Sequence, residues 1–414
     1  MNAPTLGHAR GLAYGLLGLP LAFVALPLYV QLPAHYAGTY GVPLAALGAL
    51  LLAVRALDAL VDPLIGRWAD RLLRRPLRVR LAAAGAGALL LAIGFQALFF
   101  PAVRGEAALL AWAGGTLALC YLAYSGLSVL HQAWGAQLGG EAPFRARVVA
   151  WREGAALVGV VAASVLPGWA GFQATSGVLA ASLGLALVAL ARAPAPQPHP
   201  QAAPASLWAP WQWPRFRRLM AIFVLNGVAS ALPATLVLFY IRDRLQWPEG
   251  EPLLLGAYFA AAALSLPVWV RLVAWQGLAR AWGLGMGLSI ASFIGAAFLG
   301  PGDGRWFLAV CLASGAALGA DLCAPAALLA GELRARAQAA EGVAFGWWNA
   351  ATKLNLALAA GLALPLLQAL GYRPGQAEAG AALAAVYAGV PCALKALAGA
   401  ALWWLWIRHE EQPT

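Results

Sequence analysis

Runs of about twenty apolar residues recur from one end of the chain to the other, and no other feature narrows the choice of fold as much. A helix of that length spans the roughly 30 Å of hydrocarbon in a bilayer. Backbone N–H and C=O groups find no water there, so each run must be a helix or part of a closed barrel. Twenty-residue apolar runs fit helices, whereas barrel strands alternate over about ten residues. Of the 414 residues, 62% are hydrophobic and only 10% are charged. A soluble domain keeps about a quarter of its residues charged to cover its surface. This chain cannot do so, and its outer surface must face lipid. Spans are expected at roughly 11–33, 42–66, 79–101, 107–133, 147–170, 174–192, 217–241, 253–274, 279–300, 304–331, 341–369 and 381–407. The fold class is therefore an all-α polytopic membrane protein of about twelve transmembrane helices.

The formal net charge of +11 raises the question of nucleic acid, and the distribution of charge answers it. With the N-terminus inside, eighteen of the 27 basic residues fall on the inner side, among them Arg67, Arg71, Arg74, Arg75, Arg78 and Arg80. Five lie opposite, at Arg104, Arg242, Arg244, Arg305 and Arg373. Arg55, Arg152, Lys353 and Lys395 fall within spans. Such a bias is the positive-inside rule; it places both termini in the cytoplasm and the protein in the cytoplasmic (inner) membrane. The expected partners are the lipid bilayer and a small-molecule substrate, without nucleic acid and with the chain as a monomer. The segment MNAPTLGHAR lacks the layout of a signal peptide, so the first span is expected to stay. Cys120, Cys311, Cys323 and Cys392 lie in spans without a CxxC pair, which reads as reduced packing residues and no metal site.

One stretch breaks the pattern of spans. Residues 193–216, APAPQPHPQAAPASLWAPWQWPRF, are too rich in proline for a helix. They divide the chain into an N-terminal six-helix half, 1–192, and a C-terminal six-helix half, 217–414, with 193–216 as a cytoplasmic linker. The halves are weakly alike: ALPLYV (25–30) precedes VPLAALGALL (42–51), and ALPATLVLFYI (231–241) precedes EPLLLGAYFA (251–260). Paired halves are a hallmark of transporters, whose substrate site lies between them near the midplane. Glycine and proline interrupt the first helix of each half, at Gly15, Gly18, Pro20 and Pro27 and again at Asn226, Gly227 and Pro233. The expectation is a broken helix in both places.

The charges that remain inside the membrane point to function. In VRALDALVDPLIGRWADR (54–71), Arg55, Asp58 and Asp62 are spaced by three and four residues, which puts them on one helix face. Each ionised group costs about 2.5–3.5 kcal/mol at the centre of a span, so the three would cost on the order of 8 kcal/mol facing lipid. They must face the bundle interior. Arg55 neutralises one acid, and the other is left for a proton or a hard cation. Aligning Gly48 with Gly256 sets this stripe against LSLPVWV (264–270), which carries no charge. The stripe is thus not an architectural need of both halves. Arg152 and Glu153 open the fifth span, Asp321 lies in GADLCAPAALLAGE, and Lys353 follows Trp348 and Asn349. Lys353 needs a carboxylate or a ligand as partner: Asp321 is a candidate, and the other reading has Lys353 bind substrate or exchange charge with Asp58 and Asp62.

YGLLGLP (14–20), RALDALVDPLIGRWADR (55–71) and EGVAFGWWNAATK (341–353) together resemble the glycoside–pentoside–hexuronide:cation symporters, the melibiose-permease group of the major facilitator superfamily. The most specific motif is R-x-x-D-x-x-x-D-P-x-x-G, running from Arg55 to Gly66. The resemblance implies the major facilitator fold, with Asp58, Asp62 and Arg55 at the cation site. It places Arg152 in the sugar and charge network and Lys353 in the central region. GRWADRLLRR (66–75) is similar to the superfamily's loop between helices two and three, where Gly66, Asp70, Arg71, Arg74 and Arg75 would latch the cytoplasmic face. Two positions depart from the group. Leu19 and Pro20 stand where its sugar members carry a charged pair, and LCYLAYSGL (119–127) offers Tyr121 in place of an acid. Sodium needs several oxygens, so the loss of acids favours H+ as coupling ion, with Na+ the alternative.

The reading that follows is a secondary active transporter, not an enzyme. It would carry a sugar or sugar derivative together with a proton, by alternating access and without a cofactor. Tyr14, Tyr121, Tyr124, Arg152, Asp321, Trp348, Asn349 and Lys353 are the candidate cavity residues. The alternatives are a lysolipid or amphiphile transporter of the same fold, an efflux carrier, and a membrane-embedded enzyme on lipid-linked substrates. For the last, the chain shows no HExxH and no nucleophile with a base.

Overall fold

A computed structural model describes residues 6–196, 206–335, 340–372 and 380–408, and the described residues are helices joined by short turns. By their contacts they form two compact units. Unit 1 holds Met1–Pro210 with Leu333–Ala350, and unit 2 holds Trp211–Glu332 with Ala351–Thr414.

In unit 1 the first span is broken. Helix α1 (His8–Gly15) and helix α2 (Gly18–Leu26) are separated at Leu16 and Leu17. A wide π-turn over Pro27–Gln31 then leads into α3 (Leu32–Tyr40). Proline at residue 27 removes a donor from the ladder, which is the usual cause of such a bulge. The glycines have a second task here. A Cβ on Gly15 would sit 2.5 Å from the Trp151 carbonyl oxygen, and one on Gly159 would sit 2.1 Å from that of Leu19. Only glycine lets these backbones touch, as is common where helices meet in lipid.

Helices α4 (Leu44–Leu73), α5 (Leu77–Phe99) and α6 (Glu106–Gln137) follow. Next comes α7 (Ala142–Ala191), which is two helices in fact, because Gly171 turns the chain with φ 74°. A positive φ costs glycine nothing. This break falls between the expected spans 147–170 and 174–192. Helix α4 runs further than expected. Gly66, Asp70 and Arg71 are helical, and the sequence-based loop shrinks to the turn at residues 74–76. The stretch Arg67–Arg74 consists mostly of the good helix formers Arg, Leu and Ala, and Pro76 supplies the first real stop.

Unit 2 contains α8 (Pro214–Phe239), α9 (Glu251–Gln276), α10 (Leu278–Phe293), α11 (Gly304–Ala335, through Glu332), most of α12 (Glu341–Ala369), α13 (Gly380–Ala384) and α14 (Val390–Leu402). The break expected at Asn226, Gly227 and Pro233 does not occur: α8 passes through all three, and the ladder widens only at Tyr240–Arg244. Neighbours explain this. Asn226 turns its amide to Asp321, and Gly227 makes room for Asn355, whose Nδ2 would lie 1.9 Å from an added Cβ. The far end of the unit is closed by aromatic packing, with Tyr240 and Tyr387 stacked at 4.1 Å.

Among the described residues, nine helical segments are long and apolar enough to cross a membrane, and the 50-residue α7 counts once among them. Trp169, Trp275 and Phe298 are 83%, 81% and 82% exposed, as a surface facing lipid permits. The chain is an integral membrane protein with about twelve spans.

Candidate functional site

Asp62 of α4 is the most deeply placed charge among the described residues of unit 1. Asp58 is 6% exposed and Asp62 is fully buried, while Arg55 is half-buried. Their one-face spacing follows from the helix, and burial follows from the packing of α4 against α6. Ser125 of α6 donates to Asp58 Oδ1 at 3.0 Å. Tyr121, also on α6, interacts electrostatically with Arg55 and Asp58. One turn on, Tyr124 does so with both acids and with Arg152 and Glu153. Arg152 and Glu153 of α7 form an ion pair at 2.6 Å. The stripe, the two tyrosines and the α7 pair therefore make one polar cluster. Sequence reasoning assigned no role to Ser125, although it lies four residues beyond Tyr121 and so on the same helix face.

Tyr14 is also in unit 1, and it is an anchor. Its hydroxyl donates to the His131 carbonyl at 2.9 Å, and His131 Nε2–H donates back to the Tyr14 carbonyl at 2.8 Å. The phenol lies against Gly135 of α6, and Arg152 interacts with it as well. His131 carries no signal in the sequence, being one polar residue in an apolar run. Asn349 accepts from Gln132 Nε2 at 3.0 Å, and Trp348 beside it is buried. Trp347 donates its indole N–H to the Leu207 carbonyl at 2.9 Å, fastening the later part of the Pro-rich stretch.

Of the residues expected to latch one face, Gly66 and Asp70 meet the start of α12. Asp70 accepts from the amides of Gly342 and Val343 at 2.6 and 3.0 Å, at the N-terminal end of α12. A carboxylate at that end meets both free amides and the positive pole of the helix. The approach depends on glycine: a Cβ on Gly66 would lie 2.2 Å from the Gly342 oxygen. Asp70 lies beyond the membrane span, and burial raises its pKa to about 7 against the pull of the two amides and Arg74. Arg74 is half-buried, whereas Arg71 and Arg75 are exposed.

In unit 2 Asp321, the candidate partner for Lys353, is held by a different cation. The cation on Asp321 is Lys395 of α14, 2.7 Å from Oδ2. Ser230 also reaches Oδ2, at 3.4 Å, and accepts from Lys395 at 2.9 Å. Asn226 and Trp282 donate to Oδ1 at 3.1 and 2.8 Å. Lys353 lies half-buried on α12. The nearer candidate in the chain lost because α14, not α12, presents an ammonium at the right height. A separation of 74 residues leaves no local pattern from which to read that.

A twelve-span, all-helical chain with acids buried in its second span belongs to a class of carriers. Over residues 11–408 it matches the MFS/sugar transport protein family. The chain belongs to that family, within the major facilitator superfamily, and is a transporter rather than an enzyme. No curated protein is significantly similar in sequence. Among solved structures, it is similar to a bacterial homologue of the iron transporter ferroportin in an outward-facing state. That match has 18% identity and a TM-score of 0.70, over 96% of this chain and 98% of that one. With soaked iron the same homologue gives 18% and 0.71, over 98% and 100%. The E. coli fucose:proton symporter is 14% identical with a TM-score of 0.65, over 94% and 97%. At these identities the likeness is one of fold.

Proposed function

We propose that the protein is a proton-coupled symporter of a small solute such as a sugar or sugar derivative, of the melibiose-permease type. It sits in the cytoplasmic membrane with both termini inside and works by alternating access. The observation that carries this reading is the pair of buried carboxylates, Asp58 and Asp62, on one face of a spanning helix. With Arg55 charged, the stripe sums to −1. Binding one proton brings that sum to zero and lowers the cost of burying the stripe. A proton therefore changes which arrangement of α4 is favoured, and a solute bound nearby has an arrangement to select. Tyr121 and Ser125 give hydroxyls where a sodium site would want further acids. The family match and the fold shared with a fucose:proton symporter support a sugar-like cargo.

The test is uptake by vesicles holding the purified protein, across a panel of sugars, sugar acids and lysolipids. An imposed pH gradient, acid outside, should drive accumulation of at least one sugar-like compound. Accumulation driven by a sodium gradient at constant pH, without response to the proton gradient, would overturn the reading.

A further inference from the structure

On the outer face of unit 1, helices α4, α5 and α6 border an open groove of about 510 Å³, and every side chain lining it is apolar. Leu64, Trp68, Leu90 and Leu122 stand up as walls, each between 44% and 53% exposed. Small residues leave the space between them. A Cβ on Gly126 would come no closer than 3.9 Å to the Trp68 ring, and Ala86 opens the opposite wall.

The groove has the depth of one leaflet. On α6 its lining runs from Leu119 to Leu130, which at 1.5 Å per residue is about 16 Å, or about half of the hydrocarbon core. Its outer end lies under a basic turn. The last lining residue of α4 is Trp68 and the first of α5 is Ala83. Between them RLLRRPLRVR (71–80) carries five arginines and no acid. Arg80 Nε holds the Arg75 carbonyl at 2.6 Å and shapes the turn, while Arg71, Arg75 and Arg78 are exposed. The acid just before them, Asp70, is committed to the amides of Gly342 and Val343.

We propose that this groove and turn form a binding site for one anionic glycerophospholipid from the arginine-side leaflet. One acyl chain fills the groove and the phosphate lies among Arg71, Arg75 and Arg78. Within the membrane an acyl chain is what meets an apolar slot, and the arginines select the charge of the head. Each arginine near a surface is worth about 1 kcal/mol toward an anionic lipid, a factor of about five. The site stands apart from the transport reading, since α4 turns its acids to a different face.

The test is native mass spectrometry of the purified protein with phosphatidylglycerol or with phosphatidylcholine of the same chains. One phosphatidylglycerol should be retained in preference to phosphatidylcholine. Filling the groove with Ala86→Phe and Gly126→Leu should reduce retention of both lipids by about tenfold, the loss of about 1.4 kcal/mol. Arg75→Gln with Arg78→Gln should lower the preference about 25-fold while leaving phosphatidylcholine unchanged. In the unaltered protein, phosphatidylglycerol with a diazirine on its acyl chain should label residues 61–68, 83–90 or 119–130. Equal retention of the two lipids by the wild type, wild-type retention by the filled variant, or labelling mainly elsewhere would each overturn the site.

Discussion

In unit 2, donors from three helices close around Asp321, while in unit 1 two acids and an arginine share one face of α4. The first arrangement is neutral and saturated. Asn226 and Trp282 occupy one oxygen of Asp321, and Ser230 and Lys395 occupy the other. The second sets two acids and one arginine on a single helix. A closed pair of that kind holds helices in register and gains little from a further proton. A buried stripe with two acids changes its burial cost each time one of them is protonated. On the proposed reading, the same residue type serves packing in one unit and coupling in the other.

The sharpest way to break the comparison is to open the closed network. Asp321→Ala or Lys395→Ala leaves one buried charge uncompensated, which costs about 3–5 kcal/mol, and removing both is close to neutral. The melting temperature should fall for each single variant and largely recover in the double one. Lys353→Ala combined with Asp321→Ala should show no such recovery. If that double variant recovers instead, Lys353 is the true partner and the assignment to Lys395 fails.

A middle-sized effect is expected where α4 meets the start of α12. Gly66→Ala forces a methyl group against the Gly342 oxygen at 2.2 Å, so the backbone must shift. Overpacking of this kind costs about 1–3 kcal/mol. An unchanged melting temperature would show that the approach is not tight.

A further effect concerns Asp70 and pH. Burial lifts its pKa from 3.8 to about 7, so the folded protein binds this proton more tightly than the unfolded chain. Its contribution is full below about 4 and is lost as pH rises through about 7. Thermal stability should therefore decline across that window, and Asp70→Asn should flatten the decline. A wild-type profile unchanged by Asp70→Asn would remove this group from the account.

These differences also mark what can be read from the chain. The stripe on α4 is local, with spacings of three and four, and the residues alone reveal it. The same holds for the break between Gly15 and Gly18 and for the division of residues 142–191 into two helices. The meeting of Asp70 with residues 342–343 rests on a resemblance, since 272 residues separate the partners. Lys395 is visible as a charge in a span, but nothing in the sequence ties it to Asp321, Trp282 and Ser230. Pro233 misleads for a related reason: a proline marks a possible break, and the helices packed against α8 decide whether it happens. The leaflet-deep groove is equally hidden, because it consists of absent side chains on three helices.

The central claim is that the α4 acids carry the coupling proton. The most direct measurement compares wild type, Asp58→Asn and Asp62→Asn in vesicles. Each is given the compound that wild type accumulates best, with and without a pH gradient, and its exchange at equilibrium is followed as well. Both variants should insert and melt close to wild type and should still exchange the compound across the membrane. Their gradient-driven accumulation should fall to the level of protein-free vesicles. Accumulation at wild-type levels in both variants would contradict the claim.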